Sequence, residues 1–164
     1  MLTIKDASIA DIPLIRELTM QVWPATYLPI IGAEQVAYML GLFYAPEQLR
    51  KQMQESQHRF MIGYSDEQPV TFASTSETEP GIFKLHKLYI LPGSQGKGIG
   101  QFMIRHILKD LKSRNAAALR LNVNRYNYSA IAFYKKSGFH HFADEDIDIG
   151  NGYFMNDHVL EIDL

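Results

Sequence analysis

Gln95-Gly96-Lys97-Gly98-Ile99-Gly100 stands between an apolar run at residues 85–91 and an amphipathic run at residues 102–111, and its reading decides the fold. Three glycines in six residues, where an extended segment hands over to a helix, let the backbone take positive φ and approach a ligand with no Cβ in the way. The first amides of a helix lack intrahelical partners and carry the positive end of its dipole. Such a turn therefore suits an anion, above all a phosphate. Plain loop chemistry explains the hexapeptide just as well when it is taken alone. It lacks the Gly-Lys-Ser/Thr ending of a nucleotide P-loop and the full spacing of the dinucleotide fingerprint, which disfavours both.

Upstream of the motif, residues 82–91 read as a strand ended by Pro92-Gly93. It sets Phe83, Leu85, Lys87 and Tyr89 on one side and Lys84, His86, Leu88 and Ile90 on the other. Strands at residues 60–64 and 70–76 precede it, joined by the turn Ser65-Asp66-Glu67-Gln68-Pro69. Residues 2–5 form a short half-buried strand. A helix then starts at Asp11 with Pro13 in its first turn, repeats Leu14, Ile15, Leu18 and Val22, and is expected to stop at Trp23-Pro24. Residues 24–32 read as a connector, residues 33–44 as a second helix, and Ala45-Pro46-Glu47 as the start of a polar third helix reaching about residue 56. Trp23, Tyr27, Tyr38 and Tyr44 are expected to pack rather than line a substrate cleft, while exposed aromatics in this stretch offer a homodimer contact.

Downstream, residues 102–111 make a helix whose apolar stripe is Phe102, Met103, Ile107, Leu108 and Leu111. A buried-type strand at 118–123, a polar turn and a short helix at 128–137 presenting Ile131 and Tyr134 follow, with Gly138 as the stop. Strand structure resumes over 139–142. Asp144, Glu145, Asp146 and Asp148 read as a solvated acidic turn, Gly150-Asn151-Gly152 as a hairpin turn, and 153–162 as the last strand. The order is mixed α/β.

A length of 164 residues points to one domain over residues 1–164. The residues are 46% hydrophobic and 21% charged, ordinary for a soluble globular protein, and the formal net charge of −2 with no basic run argues against a nucleic-acid partner. There is no cysteine, which removes disulfides, thiolate metal sites and a cysteine nucleophile; no metal is expected. No apolar stretch approaches the length of a membrane span, and the first residues lack a signal-peptide pattern, so no membrane partner and a cytoplasmic location are expected.

The strand Leu85-His86-Lys87-Leu88-Tyr89-Ile90, the glycine motif, and the later run Asn127-Tyr128-Ser129-Ala130-Ile131-Ala132-Phe133-Tyr134 occur in that order. Together they resemble the GNAT superfamily of acetyl-CoA-dependent N-acetyltransferases. Gln95, Gly98 and Gly100 match its Gln/Arg-x-x-Gly-x-Gly/Ala motif, and the likeness is strongest over residues 82–140. The resemblance implies a mixed, mostly antiparallel central sheet of about six to seven strands, flanked by helices and splayed where acetyl-CoA, the cosubstrate, lies. It implies that the backbone of Leu88, Tyr89 and Ile90 pairs with the pantetheine arm. It also implies that Gln95, Gly96, Lys97, Gly98, Ile99, Gly100 and Gln101 form the pyrophosphate site, that Asn127 contacts the pantetheine end, that Tyr134 meets the sulfur, and that Lys97 or Lys136 meets the phosphates.

Acyl transfer to an alkyl amine needs the amine neutral. At a reference pKa near 10.4 only about one molecule in 2,500 is neutral at pH 7, equivalent to roughly 4–5 kcal/mol. A leaving thiolate is helped by a hydroxyl donor, and Tyr134 is the candidate general acid. His86 stands where relatives often carry Glu; its imidazole is compatible with a base or relay, with Lys84 on the same face. Glu77, Glu79 and the acidic residues at 144–148 offer further carboxylates that attract a cationic amine. The ending Tyr153-Phe154-Met155-Asn156-Asp157-His158-Val159-Leu160 is similar to bacterial polyamine acetyltransferases, so a small-molecule amine is the expected substrate. Protein or peptide amines, a non-catalytic CoA-binding regulatory module and a nucleotide-binding domain are the alternatives.

Overall fold

In the computed structural model, which describes residues 1–164, the elements run β1 (Leu2–Asp6), α1 (Ile12–Tyr44), α2 (Pro46–Gln54), β2 (Arg59–Ser65), β3 (Gln68–Glu79), β4 (Ile82–Ile90), α3 (Ile99–Ser113), β5 (Ala118–Asn124), α4 (Tyr128–Lys136), β6 (His140–Gly150) and β7 (Tyr153–Asp163). The strands form one seven-stranded sheet in the order β1-β2-β3-β4-β5-β7-β6. β4 and β5 are parallel, while β1/β2, β2/β3, β5/β7 and β6/β7 are antiparallel, so the expected mixed, mostly antiparallel sheet is what forms. No single helix is long and apolar enough to cross a membrane. Two compact units can be described, residues Met1–Ser76 with Lys87–Met103, and Glu77–His86 with Ile104–Leu164.

In the first unit, Phe60 and Ile62 of β2 and Phe72 of β3 are among the most deeply buried side chains. Asp66 and Glu67 turn this hairpin with φ of 48° and 69°, a two-residue loop whose twist matches the strands. At Gly63, beside a register shift, a Cβ would lie 2.4 Å from Thr71 Cγ2 and 3.1 Å from Met103 Sδ, so the strands pack here on bare backbone.

The expected stop at Trp23-Pro24 is overturned: α1 continues through Pro24 and Pro29, and its helical geometry breaks at Gly32, with φ 81° and ψ 165°. Each interior proline forfeits a backbone hydrogen bond, at about 3 kcal/mol or more. Aromatic packing offsets this, since Trp23 sits 4.5 Å from the Tyr27 ring and 5.5 Å from that of Tyr44. A glycine in left-handed or extended backbone is the cheaper place to break. Trp23 and Tyr44 are buried, as their expected packing role requires, and they are unavailable as a dimer contact; the large exposed apolar residues of α1 are Met20, Leu28 and Leu42.

In the second unit, the buried face of α3 includes Ile104, Ile107 and Leu111, while Leu108 is half-buried; of the α3 residues in the first unit, Met103 is buried and Phe102, expected in the stripe, is half-buried. Leu119, Leu121 and Val123 alternate inward along β5. The parallel ladder with β4 runs from Ile82↔Ala118 to Leu85↔Leu121, whereas β5 stays paired with β7 to Asn124↔Asp157. Helix α4 closes with Phe139 N donating to Tyr134 O at 3.0 Å and Gly138 N to Lys135 O at 3.1 Å, a Schellman-type end. The acidic stretch is not a turn. Asp144, Glu145, Asp146 and Asp148 lie on β6, which stands at the sheet edge, where charge discourages further strand pairing.

Candidate functional site

In the first unit, Leu88, Tyr89 and Ile90 form the end of β4, all half-buried. Thr71 Oγ1 donates to Tyr89 O at 2.7 Å, and the Tyr89 and Tyr27 hydroxyls are 3.1 Å apart. After a 3-10 turn at Pro92–Ser94, Gln95 Nε2 donates to Ile90 O at 3.2 Å and ties the glycine loop back to the strand end. Gly96 and Gly98 have φ of 76° and 79°, and a Cβ built at either meets no heavy atom within 4 Å. The loop is an open cradle whose conformation suits glycine. Lys97 is exposed; Ile99 and Gly100 are buried at the start of α3, followed by half-buried Gln101, and Phe102 N donates to Gly98 O at 3.0 Å. The amides from Gly96 to Gln101 thus lie at and just before the N-terminus of α3, an arrangement that suits an anion.

Lys87 was not singled out from the sequence. It is 8% exposed, donates to Gln52 Oε1 at 2.9 Å and has Nζ 5.1 Å and 5.5 Å from the centroids of Tyr44 and Phe60. The signal was present, a lysine among Phe83, Leu85 and Tyr89 on one side of an alternating strand. The same packing pushes the Tyr44 phenol pKa up, chiefly through burial.

In the second unit, Lys84 pairs in register with Arg120, so alternation puts His86, two residues on, on the face that also carries Asn122. Asn122 Nδ2 donates to Glu145 Oε2 at 3.1 Å and to Asp157 Oδ2 at 3.2 Å. Glu145 and Asp157 are directly opposed across β6 and β7, a like-charge pair that disfavours the sheet unless bridged. Burial raises the Asp157 carboxyl above its ordinary value, with the Asn122 hydrogen bond and the Lys84 charge opposing and the Glu145 charge adding to the rise. Asp157 and Asn122 were missed as site residues, because each is one polar residue in a strand until the register opposes them.

Tyr134 is buried on α4, with its ring 5.2 Å from Phe133 and 5.6 Å from Phe139. Asn127 caps the same helix, its Oδ1 accepting from Ala130 N at 3.3 Å, and Lys136 is exposed in the last turn. Of the other carboxylates considered, Glu77 accepts from Gly81 N at 2.9 Å and Glu79 lies 3.9 Å from Arg120, both turn and strand contacts. The 144–148 group does not act as one cluster: Glu145 faces Asn122, whereas Asp144 faces His141 and His158, whose hydrogen bonds lower its carboxyl to about 2.

Residues 27–153, well over half the chain, match the family model described as an acetyltransferase (GNAT) domain. The chain is 27% identical to the spermidine N(1)-acetyltransferase of Thermoplasma acidophilum over 93% of its own length and 94% of that protein's. It is 35% identical to the peptidyl-lysine N-acetyltransferase YjaB of Salmonella typhimurium over 53% of its length and 61% of that protein's. Among solved structures, the PaiA N-acetyltransferase of Thermoplasma acidophilum in complex with coenzyme A matches with a TM-score of 0.84 at 25% identity, covering 100% of this chain and 99% of that one. With an open mixed sheet, a glycine cradle at a helix start and a matching model across most of its residues, the chain belongs to the GNAT acetyltransferase family.

Proposed function

We propose that residues 1–164 act as one catalytic domain that transfers an acetyl group from acetyl-CoA to a primary amine of a small polycation of the polyamine type. The amine attacks the thioester directly within a ternary complex, and the reaction is placed in the cytoplasm. The observation that carries this substrate reading is the likeness to a spermidine N(1)-acetyltransferase across nearly the whole of both chains.

Acetyl-CoA supplies an activated acyl group on a thiol leaving group. The cradle at Gly96 and Gly98 fits its pyrophosphate, received by the amides of Gly96, Lys97, Gly98, Ile99, Gly100 and Gln101, with Gln95 holding the loop and Lys97 or Lys136 adding charge. The backbone of Leu88, Tyr89 and Ile90 offers strand-like pairing to the pantetheine arm, and Asn127 offers its Nδ2. Tyr134 donates its phenolic proton to the departing thiolate. His86 accepts a proton from the amine, directly or through water, and Glu145 with Asp157 on the same face favours a cationic acceptor.

A thiol-release assay across polyamines, free amino acids, aminoglycosides and lysine peptides tests the reading. Polyamines are expected to give the highest kcat/KM. A second reading, acetylation of peptidyl lysine, is favoured by the 35% identity to YjaB, and faster turnover of lysine peptides than of polyamines would establish it instead. Tight acetyl-CoA binding with no thiol release for any amine would overturn both in favour of a binding module.

A further inference from the structure

Asp144 and His158 form a cross-strand pair on β6 and β7. His141 lies three residues from Asp144 and in a regular strand would face the other way, since side chains alternate. It does not, because Phe142 is an extra residue on β6. His141 pairs with Leu160 and Ala143 with Val159, so the three steps from His141 to Asp144 match two steps on β7. The bulge returns His141 to the face of Asp144 and His158. Phe142 is held from the opposite face by the Arg120 guanidinium, 4.2 Å from its ring centroid, and Arg120 is itself fixed by Glu161 Oε2 at 2.5 Å.

The convergence is tight. His141 Nε2 lies 2.8 Å and His158 Nδ1 2.5 Å from the same oxygen, Asp144 Oδ1. The rings are nearly perpendicular, at 81° with centroids 5.3 Å apart, and their nitrogens meet at that one carboxylate oxygen. All three donor atoms fall within 4.8 Å of one another. Two imidazoles and a carboxylate are the nitrogen and oxygen donors preferred by zinc and its neighbours, whose bonds of about 2.0–2.2 Å place tetrahedral ligands roughly 3.3 Å apart. Shifts of under about 1 Å in three partly exposed side chains reach that spacing.

We propose that His141 Nε2, His158 Nδ1 and an Asp144 carboxylate oxygen bind one divalent transition ion of the zinc type, with water completing its shell, across the β6–β7 hairpin. The neighbouring group of His140, Glu161 and Asp163 is the weaker alternative, because Arg120 already occupies Glu161.

The test uses the full chain without a histidine tag, titrated with zinc chloride by calorimetry and by thermal shift at neutral pH. One saturable ion per chain and a rise in Tm are expected. His141→Ala, His158→Ala and Asp144→Asn are each expected to weaken binding by about tenfold or more, and His140→Ala to leave it unchanged. Histidine-ring NMR of the wild-type chain supplies a readout that needs no variant: one equivalent of zinc is expected to move the His141 and His158 ring signals together. No saturable binding up to about 1 mM zinc, ring shifts confined to other histidines, or loss of binding in His140→Ala with retention in His141→Ala would each overturn the site.

Discussion

Replacing Gly98 by valine separates backbone conformation from ligand approach. The residue has φ 79°, a region where a side chain costs about 1–2 kcal/mol, and somewhat more when β-branched. No heavy atom lies within 4 Å of the new Cβ, so no steric overlap is added in the free protein. For a chain of this size a loss of about 1–3 kcal/mol lowers Tm by roughly 3–10 °C, within the stability of an ordinary domain. Coenzyme A binding should suffer more. In the proposed site the isopropyl group enters the cradle that receives the pyrophosphate, and losing two charge-assisted hydrogen bonds at about 1.5–3 kcal/mol each weakens affinity by roughly 100-fold to 10,000-fold. Urea unfolding and calorimetric titration with coenzyme A measure the two effects. Gly63→Ala is the counterpart: its Cβ would overlap Thr71 Cγ2 at 2.4 Å, so about 1–3 kcal/mol of stability is lost with coenzyme A affinity kept. A folded Gly98→Val protein with affinity within a few-fold of the parent would refute the proposed pyrophosphate cradle.

Tyr134→Phe keeps the ring contacts with Phe133 and Phe139 and removes the phenolic proton, so kcat is expected to fall by about 10-fold to 1,000-fold with little change in acetyl-CoA affinity; unchanged turnover would remove it as the acid. For His86→Ala, the rise of kcat/KM with pH is expected to move to higher pH, because the amine must shed its proton unaided, and an unaltered profile would count against a base role. Burial raises the Tyr44 pKa in the folded state, so its contribution to stability is full below the unfolded value near 10 and is lost as pH rises above it. Tyr44→Phe should therefore flatten the loss of urea stability above pH 10, and parallel curves for the two proteins would contradict the burial argument.

The glycine loop was legible in the sequence because its constraint is local: Gly96 and Gly98 occupy backbone conformations that favour glycine whatever surrounds them. Strand alternation and capping are local too, which is why β2, β4, β5 and α4 fall within a residue or two of their expected limits. The break at Gly32 falls where a second helix was expected to begin, but the passage of α1 through Pro24 and Pro29 was not legible. Proline reads as a stop by its own geometry, and ring packing among Trp23, Tyr27 and Tyr44 overrides it. The placement of Tyr134 on a short helix and of His86 on a strand could be read from pattern. The opposition of Glu145 to Asp157 could not, because it depends on register between strands.

By itself the sequence determined the mixed α/β order, the family motifs and the glycine turn at residues 95–100, since these follow from residue type and spacing along a few consecutive residues. Only the tertiary structure decided that Lys87 is a buried lysine over two aromatic rings, that Asn122 bridges two opposed carboxylates, and that one extra residue at Phe142 turns His141 toward Asp144 and His158. In each case the reason is the same: side-chain chemistry at these positions is set by which residue stands across the sheet, and a shift of one residue in pairing sends a side chain to the opposite face.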